Sequence, residues 1–164
     1  IFPKHLQSAI LKALLQNHPY EEVAYEIYTL ENNHQHIGMG MIGELSEAMS
    51  ETNFLALLEE HMQAKGIRHS ALRGKPIKKV AVLGGSGAFA IENAKRAGAD
   101  IFVSADFKYH DFFKAEGQIL LADIGHYESE QYIKLLLFEF LSKKIPSFAF
   151  SISKVDTNPI KYYS

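Results

Sequence analysis

The sequence predicts an α/β fold with a mostly parallel sheet flanked by helices, and three observations carry that reading. Apolar Val80-Ala81-Val82-Leu83 runs into the turn Gly84-Gly85-Ser86-Gly87, a helical stretch over 88–97 and a second apolar run, Ile101-Phe102-Val103. That is a βαβ unit, for which parallel pairing and a right-handed crossover are the rule. A third buried run, Ile119-Leu120-Leu121-Ala122, follows, and leads into a long amphipathic stretch over 129–144 in which Ile133, Leu136, Leu137, Phe140 and Leu141 recur at helical spacing as a core stripe.

Taken in order, residues 5–16 place Leu6, Ala9, Ile10, Ala13 and Leu14 on one helical face, and His18-Pro19 stops the helix because proline disfavours helical geometry in the residue before it. Residues 23–30 alternate apolar and polar side chains and read as a strand ended by Asn32-Asn33. Gly38-Met39-Gly40-Met41-Ile42-Gly43 is a glycine-punctuated strand in which missing side chains permit close backbone approach. The boundary between a small lobe, residues 1–37, and the main domain, residues 38–164, falls there. Residues 52–65 form a helix through Phe54, Leu55, Leu57, Leu58 and Met62, capped by Ser50 or Thr52 and stopped by Gly66. Residues 148–152 close the sheet.

Composition narrows the chemistry. With 47% hydrophobic residues, 22% charged residues and a net charge of -2, the chain is a globular protein with no strong nucleic-acid signal. It contains no cysteine, so a metal must be held by His, Asp or Glu. No apolar run approaches the roughly 20 residues that span a bilayer, and no basic-then-apolar leader opens the chain, which reads as cytoplasmic with no membrane partner. Ile1-Phe2-Pro3 resembles the tail of a strand, so the chain reads as a fragment.

The first candidate site is Asp123-Ile124-Gly125-His126-Tyr127-Glu128-Ser129-Glu130, directly after a buried strand, where α/β sheets bind ligands. Extending the apolar helix face backwards brings Glu130 and His126 onto it and leaves Glu128 on the solvent side. The i to i+4 pair His126 and Glu130 is either a metal-binding arrangement or a helix cap with an ordinary buried histidine. The second candidate, Gly85-Ser86-Gly87-Ala88-Phe89-Ala90, fits the dinucleotide fingerprint, with Asp106 about 20 residues on. It reads as a substrate- or anion-facing loop, a nicotinamide site of an oxidoreductase, or a plain tight turn. The third, Asp106-Phe107-Lys108-Tyr109-His110-Asp111, offers Asp106 and His110 for acid–base work or for orienting metal ligands, and Tyr109 as a pocket-lining group, against a reading as solvated loop polarity. His18, His34 and His36 are read as solvated and given no role.

These motifs, with Gly98-Ala99-Asp100 and Thr157-Asn158-Pro159, occur in the order seen in the carboxy-terminal half of the NIF-three-like family, the GTP cyclohydrolase I type two homologues, which the chain resembles over essentially its whole length. His18-Pro19-Tyr20-Glu21-Glu22-Val23-Ala24-Tyr25 likewise is similar to the end of that family's insert domain, of CutA and PII-like ferredoxin-like fold. The resemblance implies two related α/β halves facing each other around two divalent ions (zinc, manganese or iron), with His126 and Glu130 as ligands from this half. It places the remaining ligands, a His-His pair and an Asp, in the other half. It further implies a ring-shaped homo-oligomer, a hexamer in the intact family, and a metal-dependent hydrolase-like site for a phosphorylated or nucleotide-like small molecule. Asp106 and His110 are then acid–base or orienting groups, and Gly85, Ser86 and Gly87 face the substrate. A non-enzymatic metal-binding and regulatory assembly module is the other outcome. A fragment holding one His and one carboxylate is expected to bind metal weakly and to self-associate.

Overall fold

The computed structural model describes residues 1–31 and 37–162. The chain divides into two units, Ile1–His36 and Ile37–Ser164.

In the first unit a single 3-10 turn, Lys4–Leu6, leads into helix α1, Gln7–Asn17. It stops where proline demands, with His18 extended at φ -77 and ψ 139. Residues 23–30 form no strand, contrary to their alternation. A strand needs a partner for its ladder of hydrogen bonds, and no described residue of this unit supplies one. His34 and His36, with Asn32-Asn33, lie outside the described residues.

The second unit is built on five strands: β1 (Met41–Met49), β2 (Arg68–His69), β3 (Ile77–Ser86), β4 (Ile101–Ala105) and β5 (Leu120–Asp123), in the order β1-β3-β4-β5-β2. The α/β expectation holds, but the sheet is mixed: β3, β4 and β5 are parallel, while β1 on β3 and β2 on β5 are antiparallel. The parallel centre was legible because strands covered on both faces are continuously apolar. The antiparallel edges were not, since β2 is two residues long and β1 begins beyond Gly40 and mixes Glu44 and Glu47 with its apolar residues. Gly40 itself shows the expected close approach: a Cβ there would lie 2.5 Å from the Val82 carbonyl oxygen.

Helix α2, Glu51–Met62, covers one face. Its cap is Ser50, whose hydroxyl accepts from the Asn53 amide at 3.2 Å, and it ends at left-handed Gln63, φ 54, before Gly66 is reached. Phe54 and Leu58 pack there on Ile77, Ile101, Val103, Leu120 and Ala122. On the other face α3, Ile91–Arg96, preceded by the 3-10 turn Ala88–Ala90, packs Ile91 and Ala94 with Leu83, Phe102, Phe107 and Leu121. Adjacent residues thus serve opposite layers, as the period of two requires, and each large side chain so buried contributes about 1.5–3 kcal/mol.

Beyond β5 the long helix over 129–144 is two helices, α4 (His126–Glu130) and α5 (Ile133–Lys144). The stripe on α5 is not core in this chain: Ile133, Leu136, Leu137 and Phe140 are exposed and Leu141 is half-buried. Periodicity identifies an apolar face but not what covers it, and both layers of this sheet are filled without α5. Residues 148–152 form no strand, because β1 and β2 already occupy both edges. Among the described residues no helix is long and apolar enough to cross a membrane.

Candidate functional site

The connections leaving β3, β4 and β5 gather at one sheet edge, the carboxyl end of the parallel strands, where α/β sheets place ligands. Asp123 ends β5 with a buried carboxylate that accepts from the Phe107 amide at 2.9 Å and the Gly125 amide at 3.1 Å, and pairs with Arg68. Gly125, at φ 92, turns the chain sharply into α4. His126 therefore occupies the first helical position and Glu130 lies one turn on, with Nε2 of His126 3.3 Å from Oε2 of Glu130. From the end of β4, Asp106 takes a left-handed conformation, φ 57, and sets its Oδ2 2.6 Å from Nδ1 of His126. All three side chains are about half exposed, at 51%, 48% and 50% for His126, Asp106 and Glu130. The hydrogen bond to Asp106 raises the pKa of His126 above its ordinary value; partial burial opposes this, and the charges of Asp106 and Glu130 reinforce it.

The turn after β3 is the surface on which α4 rests. The Gly85 amide donates to Ser129 Oγ at 2.8 Å, and Ser129 Oγ donates to the His126 carbonyl at 2.8 Å. A Cβ on Gly85, which sits at φ 67, would lie 2.4 Å from Oε1 of Glu130, and one on Gly87 would lie 1.9 Å from Ser104 Oγ. The Gly87 amide donates to the Ala105 carbonyl at 3.3 Å. A loop that cradles a pyrophosphate offers free amides, whereas those of Gly85 and Gly87 are engaged within the fold. The two glycines admit Glu130 and Ser104 instead, and Ser86, still in β3, pairs with Ala105 across the sheet.

Asp106, His126 and Glu130 line a cavity of about 1100 Å³ together with Arg68, Glu128 and Asn158. His110 does not line it; its ring packs on Tyr109 at 5.2 Å and Phe113 at 6.2 Å. Glu128 corrects its expected solvent placement: it is 5% exposed, accepts from Asn158 Nδ2 at 3.3 Å, and packs so closely on Gly125 that a Cβ there would lie 2.2 Å from its Oε2. The extrapolation failed because the break at Gln131 and Tyr132 separates α4 from the helix whose phase was extended. Nothing in the local pattern around Arg68 points to a site, and Asn158 stands out only as part of the Thr157-Asn158-Pro159 motif, although its segment lines the cavity.

The donor set suits a divalent ion in part. With Nδ1–H of neutral His126 directed at Asp106, the Nε2 lone pair faces the Glu130 carboxylate, and two acceptors in that relation need a proton or a cation between them. Two ligands each roughly 2.1 Å from a tetrahedral ion stand roughly 3.4 Å apart, close to the 3.3 Å found here. Among the described residues no group of three or more His, Cys, Asp or Glu gathers to hold a metal ion, so His126 and Glu130 fit as two ligands of a site that needs more.

Comparison with known proteins agrees with this architecture. Residues 5–159 match the family Duf34/NIF3 (NGG1p interacting factor 3). The chain is 34% identical over 171 residues to a Bacillus subtilis GTP cyclohydrolase 1 type 2 homolog, covering 99% of this chain and 44% of that protein. Among solved structures it is similar to a Bacillus cereus protein related to NIF3, at TM-score 0.70 and 34% identity over 99% of this chain and 46% of that one. A Staphylococcus aureus protein of 26% identity aligns with TM-score 0.77 over 99% of this chain and 54% of its own. The chain thus spans about half the length of these relatives.

Proposed function

Because this chain belongs to the Duf34/NIF3 family, we propose that the whole protein is a metal-dependent hydrolase acting on a phosphorylated or nucleotide-like small molecule, with His126 and Glu130 among its metal ligands. The observation that carries this reading is the facing of His126 Nε2 and Glu130 Oε2 at 3.3 Å, with the other ring nitrogen held by Asp106 at 2.6 Å. A ligating imidazole characteristically donates its second N–H to a carboxylate, which fixes the tautomer and raises the basicity of the ligating nitrogen. Zinc, manganese or iron bound there would lower the pKa of water and offset charge developing on the substrate.

The chain's own residues divide the remaining work. Asp106 holds the Nδ1 proton and so aims Nε2 at the cavity. Ser129 ties α4 to the Gly85 amide, and Gly85 leaves the space that Glu130 occupies. The hydrogen bond between Glu128 and Asn158 ties the segment around Thr157-Asn158-Pro159 to α4, so that it forms part of the cavity wall. His110, engaged with two aromatic rings, takes no part in orienting His126. The assembly proposed with this activity is a ring-shaped homo-oligomer, a hexamer, and the two-ion site is completed by ligands beyond this chain. Elemental analysis of the purified whole protein tests the reading: His126→Ala and Glu130→Ala should each remove one metal equivalent with the fold retained. Unchanged metal content in both would remove the assignment.

A further inference from the structure

We propose that Arg68 is an anion-binding residue of the same cavity, placed to hold a phosphate-like oxyanion of the substrate; this rests on the reading of that cavity as a hydrolase site.

Arg68 lies on the edge strand β2, directly opposite Asp123 in the antiparallel pairing with β5. Its Nη2 alone makes the contacts to protein, donating to the Phe107 carbonyl at 2.9 Å and to the Asp123 carboxylate, while the guanidinium lies 5.6 Å over the Phe112 ring. Two hydrogen bonds from one nitrogen and the aromatic ring beside it hold the group in place. Nε and Nη1 have no hydrogen-bond partner among the described residues, the side chain is 58% exposed, and it lines the cavity.

Neutralising Asp123 does not account for this geometry. Each Asp123 oxygen already accepts a backbone amide, Oδ2 from Phe107 and Oδ1 from Gly125. An arginine serving only that carboxylate makes its best pair side-on, with two parallel N–H groups. Here one nitrogen is shared between Asp123 and a carbonyl, which occupies a prong of both two-pronged edges of the group, and the N–H groups of Nε and Nη1 remain as single, rigidly placed donors without a partner among the described residues. The four carboxylates lining the cavity are each engaged: Asp123 with these amides, Glu128 with Asn158, and Asp106 and Glu130 with His126. Among the described residues the only other lysine or arginine on the cavity wall is Lys134, on the first turn of α5, and no hydrogen bond among them fixes it.

Isothermal titration of the whole protein with inorganic phosphate and with pyrophosphate, at constant ionic strength and both with and without added zinc or manganese, tests the assignment. Wild type should bind. Arg68→Gln should weaken binding about tenfold or more, the loss expected for charge-assisted hydrogen bonds. Arg68→Lys keeps a cation beside Asp123, which protects the fold, and should still bind several-fold more weakly, because an ammonium held at Asp123 lacks the rigidly placed free N–H groups of Nε and Nη1. His126→Ala should lose metal yet keep phosphate binding in the metal-free protein. Equal phosphate affinity in wild type and Arg68→Lys with Arg68→Gln, or no binding by wild type, overturns the role of Arg68 and leaves the metal reading untouched. Metal content indifferent to His126 and Glu130 overturns the metal reading without moving the phosphate result.

Discussion

Oδ2 of Asp106 lies 2.6 Å from Nδ1 of His126, joining the end of β4 to the start of α4 across 20 residues of chain. This contact is the first cause of the raised His126 pKa. Asp106→Asn should therefore lower it, as followed by the ring C–H signals of His126 in an NMR pH titration. A histidine whose folded pKa exceeds the unfolded value of about 6.5 stabilises the fold below that value and loses the contribution as pH rises through the folded pKa. The variant should flatten that part of the stability profile. It should also weaken metal binding by roughly 10- to 100-fold, the usual effect of removing such a partner. An unmoved titration would show that the contact does not govern the ring.

Gly85→Ala probes the seat of Glu130. The position is at φ 67, and the new Cβ would lie 2.4 Å from Glu130 Oε1. The backbone alone disfavours this by about 1–2 kcal/mol, and the clash displaces the carboxylate as well. Chemical denaturation should show the first loss and metal titration the second. Retained metal affinity would mean that Glu130 has room to move without consequence.

Away from the site, Glu51 is 5% exposed and accepts from the amides of Arg73 and Gly74, both at 2.9 Å, while Arg73 Nε, otherwise without a hydrogen-bond partner, lies 3.6 Å from its Oε1. Glu51→Ala leaves the buried guanidinium with Asp100 and the Gln118 carbonyl only. The expected cost is about 3 kcal/mol, the lower end for breaking a buried pair, measurable by urea denaturation.

Asp100 gives an acid limb to stability. Burial would raise its pKa, but the amides of Lys79 and Lys78 and the Arg73 guanidinium outweigh that, and the pKa is lowered. Its contribution is present above the unfolded value, about 3.9, and is lost as pH falls through the lowered folded value. Asp100→Ala should unfold at higher pH than wild type in an acid titration followed by circular dichroism. Coincident acid transitions would remove Asp100 from the list of groups that set this limb.

What could be read in the sequence was what depends on local pattern. The βαβ core was legible because Val80 to Leu83 and Ile101 to Val103 are apolar on both faces, and the His126 and Glu130 pairing because four residues make one helical turn. Asp106 was legible as a group just past a strand end, though not as the partner of His126, since contact between residues 20 apart depends on how β4 and β5 align. What local pattern does not carry depends on neighbours: residues 23–30 without a ladder partner, the exposed stripe on α5, and Glu128, which precedes a helix that starts only at Ile133 and does not share its phase. The glycine pattern reads as a substrate- or anion-facing loop, whereas the amides of Gly85 and Gly87 are engaged within the fold and the bodies the glycines make room for, Glu130 and Ser104, come from elsewhere in the chain.

The left-handed backbone of Asp106 restricts what that position can encode. Apart from glycine, this conformation is readily adopted mainly by aspartate and asparagine. Glycine would keep the backbone without an acceptor, asparagine would keep both but not the charge, and glutamate would bring the charge on a residue that resists the conformation. For a chain that must hold a carboxylate against His126, the usable alphabet at position 106 has one letter.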